Sequence, residues 1–170
     1  MDIRENFDNI KREISEACGK VDRSPEDIKV IAVTKYVTDA RVEQAIEAGV
    51  DSFAENRPQN YLERKQKYSD KEWHLIGSLQ TRKVRDVINH VDYFHALDRE
   101  SLAKEIEKRA KDKVNCFVQV NVSGEESKHG LTSHETIEFI KGLEKYSKIN
   151  VIGLMTMAPF VEDEDVLRNC

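Results

Sequence analysis

Short apolar, β-branched segments alternate with helical segments six times along this chain of 170 residues. Strands are predicted at residues 29–33, 52–54, 72–76, 91–96, 114–122 and 149–155. Helices are predicted at residues 3–19, 39–49, 58–68, 83–89, 100–110, 133–146 and from residue 162 onward. Strands that alternate with helices are joined by crossover connections, which place the strands parallel in one sheet. The sequence therefore predicts an α/β fold that opens with an N-terminal helix.

Two architectures have this order of elements, an open doubly wound sheet and a (β/α)-barrel. A doubly wound nucleotide-binding sheet usually has a glycine-rich turn after its first strand, whereas here the first strand is followed by the letters TKYVT at residues 34–38. The barrel is therefore favoured. Because a closed TIM-type barrel typically has about eight strands and roughly 250 residues, we expect a single incomplete barrel domain over residues 1–170, with about six βα units of eight.

Composition excludes several classes of partner. The net charge is −5, with 27 basic and 32 acidic residues, and phosphate-rich surfaces normally bind a basic excess. No apolar segment approaches the roughly 20 residues that span a bilayer, and the charged N-terminus does not resemble a signal peptide. The three cysteines, Cys18, Cys116 and Cys170, form no CxxC pair. We expect a cytoplasmic protein with reduced thiols that binds neither nucleic acid nor membrane.

Lys35 is the most unusual residue of the predicted sheet, because it ends an apolar strand that should be buried. In a βα-barrel the working groups lie at the carboxyl ends of the strands. Burial there would lower the pKa of a lysine, and a neutral amine condenses with aldehydes. The alternatives are a side chain that extends from the barrel rim or that pairs with Glu55. The pattern alone indicates either an enzyme with a lysine imine or a cofactor held by lysine.

Other polar residues also fall at strand ends, but each has a structural explanation. His74 alternates with Ile76 and could face the barrel interior, although a histidine in a strand is more often a hydrogen-bonded core residue. His95 and Asp98 could form a general base, or Asp98 could cap the helix that starts near residue 100. The acidic residues and histidines show no metal-binding spacing, so we predict no metal.

Six segments of the chain closely resemble one known family, the pyridoxal phosphate homeostasis proteins, which are relatives of the N-terminal barrel of alanine racemase. They are IAVTKY at 31–36, AENR at 54–57, WHLIGSLQTRK at 73–83, HALDR at 95–99, VQVNVSGEESKHG at 118–130 and GLMTMAP at 153–159. The resemblance implies a barrel that holds pyridoxal 5′-phosphate as an imine on Lys35. Further candidates for lining the cofactor ring pocket, because they end or face the same strands, are Asn56, His74, Ser78 and Met155.

The family also implies a function in intracellular vitamin B6 cofactor homeostasis without catalytic turnover. A pyridoxal phosphate-dependent racemase or another lysine-imine enzyme stays open as the alternative, as does a plain interaction scaffold. The family's motifs for gripping the cofactor phosphate would lie beyond residue 170, as would two further βα units, so we expect weaker cofactor binding than in a full-length homologue. The intact family fold implies a monomer, and the sequence leaves the oligomeric state open.

Overall fold

The computed structural model describes residues 2–122, 129–159 and 161–168. Its strands form one parallel six-stranded sheet in sequential order, β1-β2-β3-β4-β5-β6. The strands are β1 (Ala32–Val33), β2 (Ser52–Glu55), β3 (Glu72–Leu75), β4 (Tyr93–Leu97), β5 (Val114–Gln119) and β6 (Ile149–Met155). The α-helices are α1 (Ile3–Gly19), α2 (Asp39–Glu47), α3 (Pro58–Lys67), α4 (Thr81–Val87), α5 (Glu100–Arg109), α6 (Ser133–Leu143) and α7 (Glu164–Arg168). Two short 3₁₀ turns, Pro25–Asp27 and Ile88–His90, complete the order. The predicted α/β fold is confirmed.

The sequential strand order fixes the position of the helices. Right-handed crossovers between strands that follow one another in the sheet place every connecting helix on the same face. We call this the outer face, and we call the opposite face of the sheet the inner face. The hydrophobic core lies between the outer face and the helices.

The centre of the core is an aromatic group under β2 and β3. Phe53 and Trp73 are fully buried, and their ring centroids lie 5.3 Å apart. The Tyr68 ring stacks on the other side of Trp73 at 6.4 Å, and its backbone oxygen accepts the indole N–H at 3.0 Å. Aromatic groups that also satisfy their polar atoms contribute strongly to a core. This packing fixes β2 and β3, the two strands that follow β1.

The strand and helix boundaries follow the sequence prediction to within three residues, and β1, β5 and α6 are each three residues shorter than predicted. Residues 29–33 were expected as a full strand, yet only Ala32–Val33 are paired in the sheet. In the register Ala32 is opposite Phe53, so residues 29 and 30 lie before the start of β2 at Ser52. The expected cap of α5 by Asp98 is wrong, since Arg99 is the N-cap residue. Within the described residues, no helix is long and apolar enough to cross a membrane.

Candidate functional site

The inner face is defined by one row of residues that are opposite each other across the six strands. The register pairs them in the order Val33, Ala54, His74, Tyr93, Asn115 and Asn150. Side chains alternate between the two faces along a strand, so residues two positions further on also point to the inner face. His95, two residues after Tyr93, therefore also lies on the inner face. Lys35 and Asn56 occupy the corresponding positions just beyond the last residues of β1 and β2, at the carboxyl end of the sheet.

Lys35 lies in a turn that directly follows β1. The N–H of Thr34 continues the pairing with β2 by donating to the Ala54 oxygen at 2.9 Å, and the N–H of Val37 donates to the Thr34 oxygen at 3.2 Å. The Lys35 side chain is exposed. In the described part of the chain it makes no hydrogen bond and no ion pair, so the amine is accessible to a ligand.

Two expectations about Lys35 are corrected by this placement. The sequence favoured a lysine withdrawn from water, but the side chain, in the turn after β1, is exposed. The alternative pairing with Glu55 is also wrong, since Glu55 accepts from the hydroxyl of Thr34 at 2.7 Å and lies on the outer face. The expected position of Lys35, at the carboxyl end of the first strand, agrees with the structure.

Asn56 follows β2 and is partly buried. Its side-chain oxygen Oδ1 is buried and has no hydrogen-bond partner among the described residues. Its backbone lies against Gly77, where a Cβ atom would come within 2.0 Å of the Asn56 oxygen. Ser78 follows Gly77 and is exposed. The loops after β2 and β3 are therefore in close contact, and they bring an unsatisfied amide oxygen to the level of Lys35.

His74 and His95 form a buried hydrogen-bonded chain on the inner face. The Nδ1 atom of His74 lies 2.8 Å from the Nε2 atom of His95, and the Nε2 atom of His74 lies 2.9 Å from the Glu72 carboxylate. Lys29 and Ser52 also donate to Glu72, at 2.7 Å and 2.8 Å. A carboxylate only accepts hydrogen bonds. When both imidazoles are neutral, Nε2 of His74 therefore donates to Glu72, and Nε2 of His95 donates to Nδ1 of His74. This series of hydrogen bonds runs along the inner face towards the carboxyl ends of the strands.

The surroundings of the His74–His95 pair keep both imidazoles neutral. Burial lowers the pKa of His74, with Glu72 acting in the opposite direction. Burial also lowers the pKa of His95 to about 4, and proximity to His74 adds to the effect. Burial would raise the pKa of Glu72, but hydrogen bonds from Lys29, His74 and Ser52 outweigh it and lower the pKa to about 2. The structure thus has a charged Glu72 beneath two neutral imidazoles.

The stability of the fold should therefore fall as the pH falls below about 6.5. The unfolded chain protonates a histidine near 6.5, while folded His95 resists protonation until about 4, so the unfolded state binds more protons in this window. Between pH 6.5 and 5.0, His95 alone should reduce the free energy of unfolding by about 2 kcal/mol. Urea unfolding at these pH values measures the loss. His95→Gln should flatten the dependence, and the exposed His134→Gln should leave it unchanged; equal slopes in all three proteins would contradict the assignment.

Two further residues of interest, Met155 and Gln119, lie at the ends of β6 and β5. Met155 is opposite Gln119 in the register and is partly buried. The side-chain oxygen of Gln119 is buried without a partner in the described ranges. Sequence reasoning did not single out Gln119, although a glutamine inside the apolar run of β5 was a visible signal.

The proposed pairing of His95 with Asp98 is wrong, because Asp98 pairs with Arg99 at 2.6 Å and His95 with His74.

The histidine, cysteine and carboxylate side chains of the described residues include no group of three or more that could hold a metal ion. The structure thus brings His74 and His95 together on the inner face, and it places Lys35, Asn56 and Ser78 on the segments that follow β1, β2 and β3 at the sheet's carboxyl end. What the site offers a ligand is an accessible amine with hydrogen-bonding amides near it.

Comparison with known proteins places the chain in a family. The family described as alanine racemase, N-terminal domain, matches residues 3–169. The pyridoxal phosphate homeostasis protein of Aquifex aeolicus is 33% identical over 173 residues, which cover 99% of this chain and 76% of that protein. The protein of the same name from Haemophilus influenzae is 34% identical over 179 residues, which cover 99% of this chain and 76% of that protein.

Solved structures agree with this assignment. An unknown protein from Bifidobacterium adolescentis superposes with a TM-score of 0.87 at 30% identity, over 98% of this chain and 74% of that one. PipY from Synechococcus elongatus, without pyridoxal phosphate, gives 0.76 at 25% identity, over 91% and 75%. Alanine racemase from Clostridium difficile gives 0.78 at 21% identity, over 99% and 44%, which shows the shared barrel fold. By sequence and by fold, the chain belongs to the pyridoxal phosphate homeostasis proteins within the alanine racemase N-terminal domain family.

Proposed function

We propose that the chain binds pyridoxal 5′-phosphate through Lys35 and serves vitamin B6 homeostasis in the cytoplasm without catalysing a reaction of its own. The observation that carries the proposal is an accessible lysine at the carboxyl end of β1 in a chain of this family. Its relatives are named for pyridoxal phosphate homeostasis, and PipY has a structure with pyridoxal phosphate bound. The free buried thiols of Cys18 and Cys116 support a reducing compartment.

The residues present fit a ligand that carries an aldehyde and ring polar groups. The Lys35 amine is the nucleophile that condenses with aldehydes, where its nitrogen forms the C=N bond and the aldehyde oxygen leaves as water. The unsatisfied oxygen of Asn56 is a hydrogen-bond acceptor at the same level of the sheet. Because a buried polar atom without a partner destabilises the protein, a donor on the ligand would be favoured there. Bound pyridoxal phosphate would supply the aldehyde and a near-visible chromophore.

His74, Ser78 and Met155 have supporting positions in this proposal. His74 is fixed by Glu72 and His95 one row below Lys35, so it orients the floor of the site and is not exposed as a base. Ser78 is exposed on the loop after β3, where its hydroxyl can turn towards a ligand. Met155 ends β6 and offers an apolar contact. Each is a contact residue of the proposed site and none has an assigned chemical step.

Covalent trapping tests the proposal. The protein mixed with pyridoxal phosphate should develop near-visible absorbance, and borohydride should bleach it and add the mass of the reduced cofactor. Peptide mapping should locate that mass on Lys35. A mass on other lysines in proportion to their exposure would contradict the proposal, because it would show unselective reaction.

Amino-acid racemisation is the alternative that the shared fold raises. A racemase needs groups that remove and return a proton at the α-carbon. In the proposed site His95 is held neutral with a pKa of about 4 and is already hydrogen-bonded to His74, so it is poorly suited as the partner of Lys35. We expect L-alanine incubated with protein and cofactor to keep its chirality. Racemisation that is lost in Lys35→Ala would establish the enzyme instead.

A further inference from the structure

The turn that carries Lys35 has a strained backbone. Residues 34–37 close on themselves through the bond from the Val37 N–H to the Thr34 oxygen. Tyr36, the residue after Lys35, has a φ angle of +68°. A bulky residue without a glycine's freedom rarely adopts this left-handed conformation, and such strain persists only where surrounding contacts enforce it. Something outside the turn must therefore hold it.

The buried carboxylate of Glu55 and the partly buried guanidinium of Arg64 contact the two ends of this turn, and Nη1 of Arg64 also donates to the Asp39 carboxylate at the start of α2. At the first end, the Thr34 hydroxyl donates to Oε1 of Glu55 at 2.7 Å. At the second end, Nη2 of Arg64 donates to the Val37 oxygen at 2.7 Å. The Nε atom of Arg64 lies 3.8 Å from the same Oε1 atom of Glu55, which joins the two ends into one connected group.

The environment of this pair points to a positioning role. Glu55 is 1% exposed, and its second oxygen, Oε2, has no partner among the described residues. The Arg64 side chain is 13% exposed. A buried ion pair of this kind is weak evidence for stability, since hydrophobic residues of similar volume would often do as well. Its geometric effect is specific, because the arginine fork contacts a carboxylate and a backbone oxygen at the same time.

We propose that Glu55 and Arg64 are positioning residues that hold the turn of residues 34–37 so that Lys35 stays on the inner face. This inference rests on the proposed function, since Lys35 is the residue that it positions. Neither side chain touches the ligand in this proposal. They act from the outer face through Thr34 and Val37, and the strain at Tyr36 is the conformation that they maintain.

The test compares Arg64→Met with Lys67→Met. The first variant removes the hydrogen bond to the Val37 oxygen and the ion pairs with Asp39 and Glu55, and it keeps an apolar stem. The second is a matched control on the same helix, because Lys67 also contacts Asp39, at 2.6 Å, but none of residues 34–37. We expect the rate of borohydride-trappable labelling of Lys35 by pyridoxal phosphate to fall about tenfold in Arg64→Met, since small misplacement of a reacting group has large effects on rate. Lys67→Met should label at the normal rate.

A rescue variant separates positioning from general destabilisation. Glycine adopts positive φ angles without strain, so Tyr36→Gly should let the turn form without the clamp. We expect Tyr36→Gly combined with Arg64→Met to recover most of the labelling rate. If Arg64→Met acted by loosening the whole fold, the added glycine would not restore labelling, and that result would overturn the inference.

A second readout does not depend on the cofactor. Amide hydrogen exchange at Val37 reports the turn directly, and we expect it to be about tenfold faster in Arg64→Met than in the parent or in Lys67→Met. If the parent protein captured no cofactor at Lys35, the proposed function would fail, while the exchange data would still show whether the clamp holds the turn. Unchanged exchange and unchanged labelling in Arg64→Met would overturn the inference and leave the proposed function standing.

Discussion

Replacement of Lys35 by alanine is expected to abolish covalent capture of pyridoxal phosphate. Among the described residues, Lys35 is an exposed amine at the carboxyl end of β1, and alanine leaves no amine at that position. Trapped cofactor should fall below about 1% of the parent value, because the hydroxyl and amide groups that remain do not form stable imines. Mass spectrometry after borohydride reduction measures this directly. The fold should persist, since the Lys35 side chain is exposed and has no hydrogen bond or ion pair to lose within the described residues.

Two controls sharpen this prediction. Lys35→Arg keeps a positive charge and a long side chain, but a guanidinium stays protonated and is no nucleophile, so this variant should also fail to trap the cofactor. Lys108→Ala removes an exposed lysine from α5 and should trap normally. Full trapping by Lys35→Ala would show that another lysine is the attachment point.

Replacement of Gly77 by alanine is expected to have the largest effect on stability. The added Cβ would lie 2.0 Å from the Asn56 oxygen and 2.8 Å from its carbonyl carbon. Both atoms belong to the backbone, so no side-chain rotation can relieve the overlap. Overpacking commonly reduces stability by about 1–3 kcal/mol, and a backbone collision belongs at or above the top of that range. Urea unfolding followed by circular dichroism measures the change.

Gly142 provides the matched control for this substitution. It lies in α6, and a Cβ there would meet nothing within 4 Å. Because glycine in a helix is less stable than alanine by about 0.5–1 kcal/mol, Gly142→Ala should stabilise the protein slightly. Cofactor trapping should be weakened in Gly77→Ala, because the loops after β2 and β3 must separate, and unchanged in Gly142→Ala. If the two variants were equally stable, the contact between residue 77 and the Asn56 backbone would not restrict the side chain at position 77.

Much of the fold could be predicted because it depends on local patterns. The alternation of apolar strands and amphipathic helices gave the sequential parallel sheet, and the bounds of β6 at Ile149–Met155 coincide with the prediction. The strand β1 was predicted too long because β-branched residues favour a strand wherever they stand, whereas pairing needs a neighbour. Ala32 and Val33 are opposite Phe53 and Ala54, whereas residues 29 and 30 lie before the start of β2 at Ser52.

The site was harder to predict because it depends on contacts between strands. The position of Lys35 after the first strand could be predicted from order alone, but its exposure could not. The bond between His74 and His95 requires the register of β3 and β4, which sequence patterns do not specify. The contact of Arg64 with Val37 requires the packing of α3 against β2 and could not be derived from the charge pattern of the helix.

The aromatic stack described in the core has a practical consequence. Trp73 is the single tryptophan of the chain, and it is fully buried between Phe53 and Tyr68. The next residue of β3, His74, points to the inner face. Its fluorescence therefore originates from one place, on the outer face of the same sheet as the proposed site, and a bound chromophore that absorbs in the near-visible range would quench it by energy transfer. Emission from this indole can then report loading of the protein in real time without any added label.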